Sequence, residues 1–335
     1  IQPMKSKEPD HIIPKRSDEE MLNTLQSETF AYFIKEVNNK TGLIADKTHR
    51  GSPSSIAATG LGLSCYIVGV ERRFMTRAEA VKRTLTVLRF FYNSHQGTEE
   101  DATGYKGFYY HFLNMETGKR AWKSELSTAD TAILLAGILT AGYYYDGENK
   151  SETEIRKLAH EMYARVDWQW ALNGKDSISH GWKPESGFLR YRWNNKYSEA
   201  HIIYILALGS PTFSISASAY KKWIATFEWK KLYNIECIYA GPLFIHQMAQ
   251  IWLDFNGISD DFNKKVGIDY FENSHRATRI QQLYAIDNPK GYTSYGKNGW
   301  GFTASDGPGP CTRTVNGIKR KFYNYKARGA PFGPD

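Results

Sequence analysis

Between His180 and His201 the sequence HGWKPESGFLRYRWNNKYSEAH sets Trp182, Phe188, Tyr191, Trp193 and Tyr197 among Glu185, Glu199, two arginines and the two histidines. Flat rings beside carboxylates suit a saccharide, whose apolar faces stack on aromatics while carboxylates bind hydroxyls and move protons. Further carboxylates stand in other polar loops: Asp46, Glu116, Glu125 and Asp130 in ELSTAD, and Asp306 in TASDGPGP. Cleaving a glycosidic bond needs one carboxylic acid to protonate the leaving oxygen and one carboxylate acting at the anomeric centre. Each candidate also has a structural explanation. Glu125, Asp130 and Glu199 sit where helices begin, and negative charge there stabilises a helix by about 0.3–1 kcal/mol. The same helix field favours an ionised Glu199, so an acid at that position needs burial to keep its proton. Glu185 and Asp306 fit turns bonded to backbone amides.

Other chemistries find little support. The histidines His180, His201 and His246 show no HExxH or comparable ligand spacing, so a metal is not expected and no cofactor is called for. No GxSxG is present, and GLGLSC lacks the context of a dinucleotide loop. Cys65, Cys237 and Cys311 are far apart and odd in number, which suggests no disulfide framework. The formal charge of +8 permits polyanion binding, but no zinc-finger or RNA-recognition pattern accompanies it, so nucleic acid is not the expected partner. No apolar run reaches membrane-spanning length.

The elements that position these residues alternate in character. Residues 1–16 read as a lead-in. Ser17 with Glu20 forms a capping box before an amphipathic helix carrying Leu22, Leu25, Phe30, Phe33, Ile34 and Val37. Ser54–Val70 is apolar nearly all round and reads as buried. The pair then repeats: a helix capped at Thr76, an apolar one over Ser127–Tyr145, one capped at Ser151 reaching Trp170, then YSEAHIIYILALG. Residues 216–229 are amphipathic, 241–255 mostly apolar, and a polar-faced helix runs from Ser259 to about Ile286. Five outer and four inner helices result. The long connections, 38–53, 95–124, 173–196 and 230–240, all enter inner helices, which puts them on one end of a ring and makes that end the candidate active face.

Blocks such as TGLIAD, PSSIAATG, TGYKGFYYHFLNMETGKRAW, ELSTADTAILLAG, VDWQWALNG, GWKPESGFLRYRW, IDYFENSHRAT and TASDGPGP resemble those of the glucoamylase-like proteins of glycoside hydrolase family 144, from about residue 24 to the end. The resemblance implies an all-α (α/α)6 toroid, here a catalytic domain over 17–335, and inverting hydrolysis of β-1,2-glucan or β-1,2-glucooligosaccharides, with sophorose a possible product. It implies Glu199 as the acid, with Glu125 the second candidate, and a substrate surface drawn from Asp46, Asp130, Trp182, Glu185, Tyr191, Trp193, Trp300 and Asp306. It also implies export to the periplasm or surface of a Gram-negative bacterium, with a targeting segment already removed; a monomer acting on a glucan is the expected state. Family members look longer, with an acidic segment beyond Asp335. The helix count agrees, since six hairpins need twelve helices, so the ring reads as lacking its last helices. The alternatives are a carbohydrate-binding protein with an incomplete site, or a glycosidase or transglycosylase of other β-glucan specificity.

Overall fold

Serine and threonine hydroxyls mark where the main helices begin. Ser17 caps α1 (Asp18–Lys35) in the expected box with Glu20, Ser55 caps α2 (Ile56–Glu71), Thr76 caps α3 (Arg77–Asn93) and Ser127 caps α4 (Thr128–Tyr144). Each accepts a bond from an otherwise unpaired first-turn amide. The computed structural model describes residues 17–315 and 317–333, so the lead-in expected over 1–16 lies outside the described residues.

The chain continues through α5 (Lys150–Ala164), α6 (Trp168–Leu172), α7 (His201–Leu208), α8 (Ala217–Ile224), α9 (Phe244–Gln247), α10 (Asp261–Val266) and α11 (Tyr270–Asp287). Four expectations are corrected. The cap of α5 is Asn149, not Ser151, and Trp170 belongs to the separate α6, begun by Asp167. The apolar stretch 241–255 is no regular inner helix: it folds as the short α9 and a 3₁₀ turn, Met248–Ile251. The long helix expected from Ser259 breaks at Gly267, which takes φ 76° as a C-cap, and Asp269 starts α11 afresh. Leu22 and Leu25 of α1 stand 61% and 60% exposed, because only the later turns of that helix pack, Phe30 meeting Phe74 at 5.6 Å.

Helices form the scaffold, and the loops add short antiparallel strands that an all-α description omits. These are β1 (Ser54–Ser55), β2 (Gly104–Tyr105), β3 (Phe108–Tyr110), β4 (Phe112–Leu113), β5 (Leu126–Ser127), β6 (Gly181–Lys183), β7 (Gly187–Phe188), β8 (Trp229–Leu232), β9 (Ile235–Ile238), β10 (Ala304–Ser305), β11 (Cys311–Val315), β12 (Ile318–Phe322) and β13 (Lys326–Ala327). Loops 95–127 and 173–196 join in one five-stranded sheet of order β2-β3-β5-β6-β7. Its first antiparallel pair is β2 with β3.

The core is continuous from α1 to the α10 region. Its tightest junction is between α2 and α4, where Gly60 and Gly137 bring two backbones into contact. A methyl on Gly137 would lie 2.0 Å from the Gly60 carbonyl oxygen. That approach fixes the relative height of the two helix N-termini, and Ala57, Asp130 and Ile133 near those ends line one cavity. Among the described residues, no helix is long and apolar enough to cross a membrane.

Candidate active site

Sheet register brings the first functional pair together. Tyr110 of β3 is paired with Leu126 of β5, so the next residues outward, His111 and Glu125, face each other across the ladder, and the His111 amide donates to the Glu125 carbonyl at 2.9 Å. Their side chains meet as well, His111 Nδ1 lying 3.0 Å from Glu125 Oε1. The other ring nitrogen stands 3.6 Å from Asp130 Oδ1. Asp130 occupies the first turn of α4 and also receives the Ser127 hydroxyl. The imidazole is thus held between two carboxylates and stacked on Phe112 at 3.9 Å.

The electrostatics follow from that geometry. Burial works against a charged His111, but the Glu125 hydrogen bond and the charges of Asp130, Glu125 and Asp46 outweigh it, and its pKa is raised. The bond from His111 lowers the Glu125 pKa against the opposing effect of burial, with Lys183 adding to it. His111, Glu125 and Asp130 each offer a ligand atom within 4.8 Å of the others. A divalent cation could use that donor set; in this structure His111 bonds Glu125 and stands beside Asp130.

Glu199 arrives from the turn ahead of α7 and lines the same cavity of about 460 Å³ with Glu125, Asp130, His111, His180, Trp193 and Tyr325. Burial raises its carboxyl pKa, its own amide opposes this, and the charge of Asp130 adds to the rise. At this helix-start position the dehydration of Glu199 outweighs the opposing backbone dipole in the direction of its shift. Two carboxyls in one cavity are pushed apart, one toward the acid form and one toward the carboxylate, which is the pattern that separates acid from base roles.

Rings complete the walls. Trp193 stacks on His180 at 3.8 Å and 17°, and its indole N–H donates to Thr128 Oγ1 at 3.0 Å. Burial pushes the His180 pKa down. Tyr325 faces the carboxylates: its hydroxyl pKa rises through burial and then through Asp46, Asp130, Asp306 and Glu199. Neither His111 nor Tyr325 was singled out from sequence. His111 sat unremarked in the long connection 95–124 of the active face, and Tyr325 gave no signal beyond a Tyr-rich terminus.

The remaining candidates are placed differently. Asp46 is not among the cavity-lining residues, but its charge acts on His111 and Tyr325, and burial raises its own pKa. Asp306 pairs with Lys47 at 3.1 Å. Trp182 packs into the sheet against Tyr105 and Trp170. Glu185 is gripped by Arg120 at 2.6 and 3.1 Å, which holds its carboxyl at about 2. Tyr191 is 58% exposed beneath the Arg190 guanidinium, Trp300 is exposed in a glycine-flanked loop, and Glu116 is exposed in a turn held by Asn114. Trp182, Glu185, Tyr191 and Trp300 stand outside the cavity lining. His246 is buried and bonded to the Ala240 backbone, as expected of an interior residue, and His201 is buried among rings.

Comparison with known proteins gives this cavity a context. A family model described as "Putative glucoamylase" matches residues 190–335. The exo β-1,2-glucooligosaccharide sophorohydrolase (non-reducing end) of Parabacteroides distasonis is 28% identical over 323 residues, covering 87% of this chain and 43% of its own. The chain thus spans less than half the length of that curated relative. A Bacteroides uniformis crystal structure under the same glucoamylase description is 31% identical, with a TM-score of 0.81, covering 94% of this chain and 74% of the other. The crystal structure of a β-1,2-glucanase from Parabacteroides distasonis is 26% identical with a TM-score of 0.80, covering 94% and 46%. With a match at that identity and coverage to the B. uniformis structure, the chain belongs to the glycoamylase family.

Proposed function

We propose that the protein hydrolyses β-1,2-glucan or β-1,2-glucooligosaccharides, with Glu199 as the general acid. The observation that carries this reading is a single cavity holding a half-buried carboxyl whose pKa is raised, another whose pKa is lowered, and stacked rings. Glu199 protonates the departing glycosidic oxygen, and a carboxylate of the His111-linked pair directs a water to the anomeric carbon, giving inversion. His111 keeps Glu125 in the form that accepts a proton. Trp193 and Tyr325 offer flat faces to the glucose rings. The names of the sophorohydrolase and β-1,2-glucanase relatives support the linkage.

In the same reading the helices belong to an (α/α)6 toroid, residues 17–335 form one catalytic domain, and the protein acts as a monomer in the periplasm or on the cell surface. Asp46 and Asp306 bind substrate hydroxyls at the rim, and the exposed Tyr191 and Trp300 lie along the outer approach. The test is incubation with linear β-1,2-glucan, resolving products by length and anomeric form. Inversion at a β-linkage predicts short products that first appear as α-anomers; β-anomers contradict inversion, and no reducing-end release from folded protein contradicts the proposal.

A further inference from the structure

A second concave surface lies beside the cavity. A groove of about 660 Å³ is lined by Lys290, Tyr292, Lys321, Tyr323, Lys326 and neighbouring backbone. Residues 288–333 carry eight lysines and arginines against one acid, Asp306, so this segment supplies nearly all of the formal +8 of the chain. Among the described residues Lys321 and Lys326 have no carboxylate partner, and both ammonium groups stand over the Tyr323 ring at 5.2 and 5.7 Å. Arg320 is spent on structure, donating to the Lys290 carbonyl at 2.7 Å and covering Tyr292 at 4.4 Å.

Keeping this arrangement is costly. In the β11–β12 ladder Arg313 stands directly opposite Arg320, and like charges facing each other across strands destabilise a hairpin. The pair is also an isolated, largely exposed two-stranded sheet, which is marginal by itself. The groove adjoins the active cavity through one short segment. Tyr323 and Lys326 face the groove while Tyr325 between them lines the cavity, and β13 pairs with β10, whose Ala304 also lines the cavity.

We propose that this groove is a subsite for an anionic substituent, a phosphate or carboxylate, carried on the saccharide chain whose backbone enters the active cavity. The inference rests on the hydrolytic reading for its saccharide and on the groove itself for its charge. Tyrosine faces take the sugar rings, and the two ammonium groups meet the anion. A neutral glucan has no group to pair with them.

The test compares linear β-1,2-glucan with the same glucan carboxymethylated or phosphorylated at low density, using the full chain. Binding is measured by calorimetry at low and high salt, and cleavage by product length, in the parent and in Lys321→Gln/Lys326→Gln. Both lysines are exposed, so the variant is expected to keep its fold, which circular dichroism checks. The charged glucans are expected to bind about tenfold more tightly than the neutral one at low salt. That preference disappears in the double variant and at high salt, while cleavage of neutral glucan is unchanged. Preference for only one of the two anions names the substituent and supports the subsite. Equal binding of charged and neutral glucan overturns it, as does a preference that survives in the double variant. So does lysine-dependent binding of phosphatidylglycerol vesicles without any glucan preference, which assigns the surface to a membrane. If no glucan is cleaved but the lysine-dependent preference persists, the hydrolytic reading fails and the subsite stands.

Discussion

Replacing Gly137 with alanine tests the scaffold that sets the cavity's geometry. The added methyl would sit 2.0 Å from the Gly60 carbonyl oxygen and 2.7 Å from its carbon. Neither obstructing atom is part of a side chain that can rotate away, so α2 and α4 must separate by roughly an ångström. A gap of about 0.5–1 Å forfeits a quarter to a half of the dispersion energy at each contact. Overpacking generally costs about 1–3 kcal/mol, and a backbone obstacle places this case at the upper end. Alanine recovers about 1 kcal/mol of helix propensity, leaving a net loss of about 2 kcal/mol. Urea unfolding of parent and variant reads this as a lower midpoint at unchanged slope. Activity on glucan should fall too, because α4 carries Asp130 and α2 carries Ala57 into the cavity. A variant as stable as its parent would refute the close approach of these helices.

Three other outcomes are expected. The Arg77 guanidinium holds the Glu152 carboxyl at about 2, down from 4.5; because the folded pKa is depressed, this stability is present above 4.5 and lost as pH falls toward 2. In Arg77→Met the difference in urea midpoint between pH 5 and pH 3 should shrink, and an unchanged difference counts against the pair. The charge of Asp130 raises the Glu199 pKa, so in Asp130→Asn the alkaline limb of residual kcat/KM should move to lower pH; a limb that stays in place detaches Glu199 from that limb. Trp193→Phe keeps a ring over His180 but leaves Thr128 without the indole donor, and should cost about 1 kcal/mol in thermal or urea unfolding.

What sequence revealed depended on how local the cause was. The caps at Ser17 and Thr76 and the apolar faces of α2 and α4 are written in neighbouring residues, and they stand where expected. The break at Gly267 and the fragmentation of 241–255 are not, since each stretch has an apolar pattern that suits a continuous helix. The site divides in the same way. Glu125, Asp130, Trp193 and Glu199 could be picked out by type and position, and they line one cavity. His111 became visible only through the register that sets Tyr110 against Leu126, and Tyr325 through the pairing of β10 with β13 across the 20 residues of loop and hairpin between them. Trp182 and Glu185 share the same aromatic and acidic vocabulary, but a sheet interior and the Arg120 fork take them up.

The most direct measurement is product release from linear β-1,2-glucan by the parent and by Glu199→Gln, followed by reducing ends and chain length. The account predicts short β-1,2-glucooligosaccharides from the parent and a loss of about 10²–10⁴-fold in the variant, the range a general acid contributes. Equal release from both would contradict the assignment of Glu199, and no release from the folded parent would contradict the hydrolytic reading itself.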